Sequence, residues 1–312
     1  MTTSNYFNLA DSKFLSISGE DRGNFLQDLI TNDIHKCDST NSIYSCLLTP
    51  QGKFIADFFI IDHENSYLIE THKKFAEDLI NKLKTYKLRA KVEINIVNDL
   101  LSLSIIKNND LLQSETDVLL FKDPRNDKLG NKVFVAKNKF KEIEKKYNLI
   151  EDNFEKYREL LIKNLIPFSS EDLIQDKSLL LENNFDKINA IDWEKGCYVG
   201  QEITARMKYR ALLKKQLYAL ELISGNINVG DKIVEKEVNL GQVISKANQY
   251  IFCMLKIELV KEKSEKKGLL EIFPSGSTSL IVTVPVSPTF RVNESGSKIY
   301  LRVSDSSGSV FD

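Results

Sequence analysis

The chain has 312 residues, of which 42% are hydrophobic and 28% are charged, and its formal net charge is −1. This length can bury a sizeable core in about two domains, and the near-zero charge excludes a protein that holds nucleic acid through a general basic field. No run of about 18 apolar residues predicts a membrane span, and the first residues lack a signal-peptide or transit-peptide pattern. Four scattered cysteines indicate a reducing compartment, so we expect a cytoplasmic protein.

The first part of the chain alternates strand and helix patterns. Pro50–Gly52 separates two apolar runs, with proline and glycine at the positions that a hairpin turn favours. Together the patterns predict an α+β sheet with helices on one side. The predicted strands are 14–18, 42–49, 54–62, 67–70, 91–96 and 100–106, and the predicted helices are 21–30 and 74–88.

A second α+β stretch follows, and after residue 213 short apolar strands are separated by turn residues, a pattern typical of a small β-barrel. We therefore predict three parts: a two-lobed α+β region at 1–212, a small β-barrel at 213–290, and a Ser/Gly-rich tail at 291–312. Predicted strands in this half are 117–122, 133–136, 216–223, 232–234, 241–245, 250–257 and 280–286, and predicted helices are 140–147, 153–163 and 200–212.

Residues 195–206 are the most informative segment of the chain. Cys197 lies between Gly196 and Gly200, just before a predicted helix. A helix N-terminus and the cations of Lys195 and Arg206 would each favour the thiolate form of this cysteine. Cysteine is also one of the most buried residue types, so a small apolar filler at the turn is the alternative.

Metal-ligand spacing is missing elsewhere in the sequence. The four cysteines form no C-x-x-C pair, and the three histidines form no H-E-x-x-H arrangement. A stable iron–sulfur cluster normally needs four protein ligands, and zinc sites need a comparable cluster. We therefore expect no resident metal.

The segment resembles the signature of the YgfZ family, which comprises folate-binding relatives of the glycine-cleavage T-protein. That signature reads K-G-C-[YF]-x-G-Q-E-x-x-x-R, and all of its specified positions are matched at 195–206. The resemblance covers roughly residues 9–258. The chain departs from the family pattern at Leu161 and Leu165, where relatives often carry arginine and glycine. Weaker matches lie at 17–33, 47–57, 86–89, 123–130 and 182–186.

The resemblance implies T-protein-like lobes that form a ring around a folate opening, with a C-terminal β-barrel. It implies tetrahydrofolate as cofactor, with Tyr157 stacking on the pterin and Glu182 accepting hydrogen bonds from it. Tyr157 could equally be a core residue of a helix face, and Glu182 a solvated acid in a turn. Gln201 and Glu202 would set the helix start or orient the ligand.

The resemblance also implies a function, namely a folate-dependent accessory protein that matures or repairs iron–sulfur enzymes, with a downstream effect on tRNA modification. Cys197 would be its reactive thiol, with Lys195 and Arg206 holding anionic folate or cluster. Its partners would be folate and iron–sulfur client enzymes or assembly proteins, with no direct nucleic acid. One alternative is a tetrahydrofolate-dependent aminomethyl or one-carbon transferase, and another is a noncatalytic interaction scaffold.

Overall fold

The computed structural model forms two compact units, which alternate along the chain. The first unit comprises Met1–Phe154, Leu173–Leu180 and Phe185–Arg206, and the second comprises the remainder. No helix within the described part of the chain is both long and apolar enough to cross a membrane. The structure describes residues 4–106, 115, 117–210, 212–222, 226–235, 238–260, 270–272, 280–283 and 299–302.

One five-stranded antiparallel sheet of the first unit has the order β3-β4-β5-β2-β6. Helix α2 (Lys73–Lys87) packs on this sheet through Phe75, Leu79 and Leu83, which are buried at helical spacing. The predicted hairpin around Gly52 is confirmed. The strands are β2 (Ser12–Ser18), β3 (Ile43–Leu48), β4 (Phe54–His63), β5 (Ser66–His72) and β6 (Glu93–Val97), and α1 is Arg22–Gln27.

The second sheet of this unit contains two strands that the sequence patterns did not predict. They are β1 (Ser4–Asn8) and β10 (Leu149–Glu151), which pair in parallel, while β1 also pairs antiparallel with β7. The sheet order is β10-β1-β7-β9-β8, and α3 (Lys137–Lys146) contacts β9 and β10. The other strands are β7 (Leu100–Ile105), β8 (Val118–Lys122) and β9 (Asn131–Ala136).

The second unit holds an antiparallel sheet of order β11-β14-β13-β12, built around a buried apolar cluster. A three-stranded sheet, β15-β16-β17, follows. The described residues of this unit form no closed barrel, and most of the predicted tail at 291–312 lies outside them. The strands are β11 (Lys215–Glu221), β12 (Lys232–Glu235), β13 (Val238–Ala247), β14 (Tyr250–Lys256), β15 (Leu270–Ile272), β16 (Leu280–Thr283) and β17 (Ile299–Arg302).

Three helices connect these elements: α4 (Phe154–Lys163), α5 (Ser169–Asp172) and α6 (Gln201–Tyr209). Helix α4 ends at Lys163 and is followed by a residue in the left-handed conformation, Leu165, whose φ is 57°. The next residue, Ile166, donates its N–H to the carbonyl of Leu161 at 3.0 Å, as in a Schellman motif. Glycine is the residue that favours this left-handed position after a helix.

We expect Leu165→Gly to be more stable than Leu165→Ala by about 1 kcal/mol, because only glycine adopts the left-handed conformation without a Cβ penalty. Both variants lose the buried leucine side chain, so their difference isolates the backbone term. Urea unfolding of the two variants measures it. An alanine variant that equals or exceeds the glycine variant would contradict this account.

Candidate functional site

The signature loop before α6 is held at both ends by the segment that follows α1. Asp192 donates its N–H to the carbonyl of Thr31 at 3.0 Å, and Val199 donates its N–H to the carbonyl of Asp28 at 3.2 Å. Thr31 also donates its hydroxyl to the carbonyl of Ala190 at 2.6 Å. The loop that carries the candidate thiol is therefore anchored to the first unit on either side of Cys197.

Lys195 forms the centre of this attachment and is 8% exposed. Its ammonium donates to three backbone carbonyls, those of Gln27 at 2.7 Å, Ile30 at 2.6 Å and Asn32 at 3.0 Å. Burial lowers the pKa of Lys195 to about 8, although nearby aspartates oppose this shift. The ammonium thus satisfies carbonyls left over where the chain leaves α1. Any effect of Lys195 on the Cys197 thiol stays a prediction.

Cys197 is exposed, whereas the other three cysteines, Cys37, Cys46 and Cys253, are buried. Burial raises the pKa of the Cys37 thiol to about 12, and it raises the pKa values of Cys46 and Cys253 as well. Buried thiols of this kind are inert toward solutes. Cys197 is therefore the one cysteine of the chain that a solute or a partner protein can reach.

The two glycines of the signature have different roles. Gly200 has φ 82°, and a Cβ there would lie 2.5 Å from the carbonyl oxygen of Thr49. Gly52, in the β3–β4 turn, has φ 69°, and its Cβ would lie 2.9 Å from Cβ of Ile203. The hairpin turn and the start of α6 thus meet through two glycines. Gly196 lies outside the left-handed region, and a Cβ there would meet nothing within 4 Å.

Helix α6 begins at Gln201, as the sequence predicts, and carries the remaining charged residues of the signature. Arg206 Nη2 lies 2.6 Å from Glu202 Oε1, one helical turn away, and both side chains are at least half exposed. Thr204 donates its hydroxyl to the carbonyl of Gly200 at 3.3 Å. Arg206 and Glu202 therefore form an exposed ion pair near the start of the helix.

The two predicted pterin contacts belong to the second unit. Tyr157 lies on α4 and is 1% exposed, so other side chains cover its ring. Glu182 lies in a short 3₁₀ helix with its side chain 13% exposed, and its carboxylate lies 3.3 Å from the ammonium of Lys215. Their contact with a folate stays a prediction.

Sequence reasoning missed two buried ion pairs in the first unit. Arg125 donates to both carboxylate oxygens of Asp123, at 3.0 and 2.7 Å. Lys132 on β9 donates to Glu70 on β5 at 2.5 Å, and burial lowers the pKa of this lysine. The Asp-Pro-Arg string was a local signal for the first pair. No local signal marked the second, whose members are far apart in sequence.

Within the described residues, no group of three or more histidine, cysteine, aspartate or glutamate side chains is placed to hold a metal ion.

Residues 4–117 match the family described as GCVT N-terminal domain. The fold is similar to a crystal structure of the glycine cleavage system aminomethyltransferase T from Bartonella henselae, with a TM-score of 0.72 and 12% identity over 88% of this chain and 83% of that one. Fold and matched domain define a T-protein-like chain of mixed helices and strands.

Curated relatives give a more specific comparison than the fold does. The chain is 30% identical over 228 residues to an "Iron-sulfur cluster assembly factor IBA57 homolog, mitochondrial" of Neurospora crassa, covering 67% of this chain and 52% of the relative. It is 27% identical to the "tRNA-modifying protein YgfZ" of Buchnera aphidicola, covering 73% and 77%. The matches span little more than half the length of the first IBA57 relatives. The chain is similar to T-protein-like proteins of the group that includes YgfZ and IBA57.

Proposed function

We propose that this chain is a folate-dependent accessory protein for the maturation or repair of iron–sulfur enzymes, with a downstream effect on tRNA modification. The observation that carries the proposal is the exposed thiol of Cys197 on a loop anchored at both ends. The names of the curated relatives, an iron–sulfur cluster assembly factor and a tRNA-modifying protein, support it. The cluster is the substrate or cargo in this proposal, not a resident cofactor.

In this proposal the residues of the signature have different roles. Cys197 is the reactive group, acting as nucleophile, transient cluster ligand or redox thiol. Lys195 holds the loop through its three carbonyl bonds. Gln201, Glu202 and Arg206 present polar and charged groups on the exposed start of α6, where an anionic ligand or a partner can contact them.

Complementation in a cell that lacks the native gene tests this function. We expect Cys197→Ser to accumulate normally yet fail to restore a cluster-dependent activity such as tRNA thiolation, because the exchange replaces one atom at an exposed site. The matched control is Gly196→Ala, the neighbouring position where a Cβ meets no atom within 4 Å, and it should restore activity. Full complementation by the serine variant would contradict a chemical role for the thiol and favour a noncatalytic interaction scaffold.

The polar groups of the second unit match the hydrogen-bonding groups of tetrahydrofolate in part. The pterin ring offers N–H donors, and the largely buried carboxylate of Glu182 is a suitable acceptor for them. Arg158 is 2% exposed, and its Nη1 has no hydrogen-bond partner among the described residues, so it offers a buried donor beside Tyr157 in the chain. When bound, the folate would supply one-carbon chemistry, while these residues would bind and orient it.

Calorimetric titration with tetrahydrofolate tests the cofactor. We expect Glu182→Gln to weaken binding about tenfold, because a charged acceptor becomes a neutral amide. Lys215→Met removes the cation beside Glu182 without removing the carboxylate, and it should retain most of the affinity. Tyr157→Ala should also weaken binding, but it empties a buried site, so its stability must be measured alongside. Unchanged affinity in Glu182→Gln would contradict the assignment of that residue.

The second candidate function is a tetrahydrofolate-dependent aminomethyl or one-carbon transferase, which the similarity of fold to the Bartonella henselae aminomethyltransferase favours. Its partners would be lipoyl groups bound to lysine, and Cys197 would have no evident task. Folate-dependent turnover of a glycine-derived carbon, unaffected by Cys197→Ser, would establish the transferase in place of the accessory factor.

We extend the proposal to architecture and location. The resemblance implies a ring of lobes around a folate opening and a C-terminal β-barrel, which a crystal structure with tetrahydrofolate would test. We propose a cytoplasmic location, although the IBA57 relatives carry mitochondrial names. Fractionation of the source cells tests this. The folate-binding region at 1–212 and the separate domain at 213–290 are likewise proposed, and limited proteolysis would test that boundary.

A further inference from the structure

A cleft of about 890 Å³ in the first unit runs along one edge of the second sheet. All five residues of β8 line it, and β8 is the last strand in that sheet. The Ser39–Ser42 loop also lines the cleft, and the Ser42 hydroxyl is buried there without a hydrogen-bond partner among the described residues. The cleft is thus a groove between a strand edge and a polar loop.

The outer edge of β8 carries free backbone groups, and all five residues of this strand line the groove. Asp117 accepts from Ala136 of β9, and Asp123 donates to Gly130, so the odd-numbered residues of β8 bond to its neighbour. In an antiparallel pair the alternate residues point their N–H and C=O groups away from the partner strand. These outward residues are Val118, Leu120 and Lys122, and the described part of the chain supplies no backbone partner on that side. Unpaired edges of this kind are templates for another strand.

The charge of the groove favours an acidic occupant. Lys122 and Lys187 are exposed on its lining, and the charge of Arg125 is matched by Asp123. Asp127 is the one further acid on the lining, so the cations exceed the acids by one.

We propose that this groove binds an extended acidic peptide segment of a partner protein, which adds as a sixth strand beside β8. Its main chain would bond to the outward groups of Val118, Leu120 and Lys122, and its acidic side chains would lie near Lys122 and Lys187. The inference is independent of folate binding and of the chemistry of Cys197. It adds an interaction surface to the proposed function without depending on it.

Fluorescence anisotropy with the full chain tests the proposal. The probe is a fluorescein-labelled peptide that alternates valine with glutamate, and the comparison peptide carries lysine in place of glutamate. We expect the glutamate peptide to bind and the lysine peptide to bind at least about tenfold more weakly, because only the former complements the groove. Equal binding of the two peptides, or no binding of the glutamate peptide, overturns the proposal.

A matched pair of variants tests the strand-addition geometry. Leu120→Pro removes the outward N–H without touching the β8–β9 bonds, because edge strands accept proline where the N–H faces away from the sheet. Leu120→Ala removes the same side chain and keeps the N–H. We expect the alanine variant to bind the glutamate peptide like wild type and the proline variant about tenfold more weakly. Equal binding by both variants overturns strand addition.

Two further measurements keep the test decisive. In the wild-type chain the peptide should slow amide hydrogen exchange at Leu120, a result that does not depend on the folding of any variant. Lys122→Glu combined with Lys187→Glu should reverse the preference between the two peptides. Concentration-dependent dimerisation that Leu120→Pro abolishes would instead assign the edge to a second copy and overturn the proposed partner.

Discussion

Gly200→Ala is expected to lower the free energy of unfolding by about 3 kcal/mol or more. A left-handed residue with a Cβ costs about 1 to 2 kcal/mol, and the added atom would also lie 2.5 Å from the carbonyl oxygen of Thr49 and 2.9 Å from Cβ of Leu48. Both neighbours belong to the β3–β4 hairpin, so neither can yield as a flexible side-chain end would. The hairpin turn and the start of α6 would have to separate.

Urea unfolding followed by circular dichroism measures this loss. Gly196→Ala is the control within the same signature, and it should change the unfolding free energy by less than about 0.5 kcal/mol because its Cβ has open space. The contrast is informative because the two glycines flank Cys197 within one signature. Equal losses in the two variants would show that the close approach of Gly200 to Thr49 is not what the signature requires.

Lys195→Met has the second large expected effect, a loss of about 3 kcal/mol in unfolding free energy. Methionine matches the aliphatic part of the lysine side chain in length and in apolar character, but it donates no hydrogen bond. Three carbonyls therefore lose their donor. Each buried acceptor left unsatisfied costs about 1 to 3 kcal/mol, partly offset because the buried charge is removed as well. Thermal or urea unfolding reports the difference.

Two control variants distinguish the hydrogen bonds of Lys195 to the three carbonyls from the effect of its charge alone. Lys36→Met removes an exposed lysine that lies 2.5 Å from the buried carboxylate of Asp192, and it should cost less than Lys195→Met because one carboxylate, not three carbonyls, loses a donor. Lys195→Arg keeps the charge, but a planar guanidinium cannot place one atom among the three carbonyls. We therefore expect it to be nearly as unstable as Lys195→Met. A fully stable arginine variant would mean that charge, not the carbonyl geometry, is what position 195 supplies.

The local sequence pattern was sufficient to predict several elements of the fold. The hairpin of β3 and β4 followed from two apolar runs around Pro50–Gly52, and α2 followed from apolar residues at helical spacing. Both elements satisfy their backbone hydrogen bonds within a short stretch, so their signals lie in the residues that form them. The start of α6 at Gln201 and the family signature were readable for the same reason.

Tertiary structure alone decided the rest, because the partners are distant in sequence. Strand β1 finds its parallel neighbour β10 about 145 residues later, and no local pattern specifies that pairing. The sequence by itself determined that Lys195, Cys197 and Gly200 belong to one motif. Only the fold showed that these residues have different roles. The acceptors of Lys195 and the close neighbours of Gly200 lie more than a hundred residues earlier in the chain.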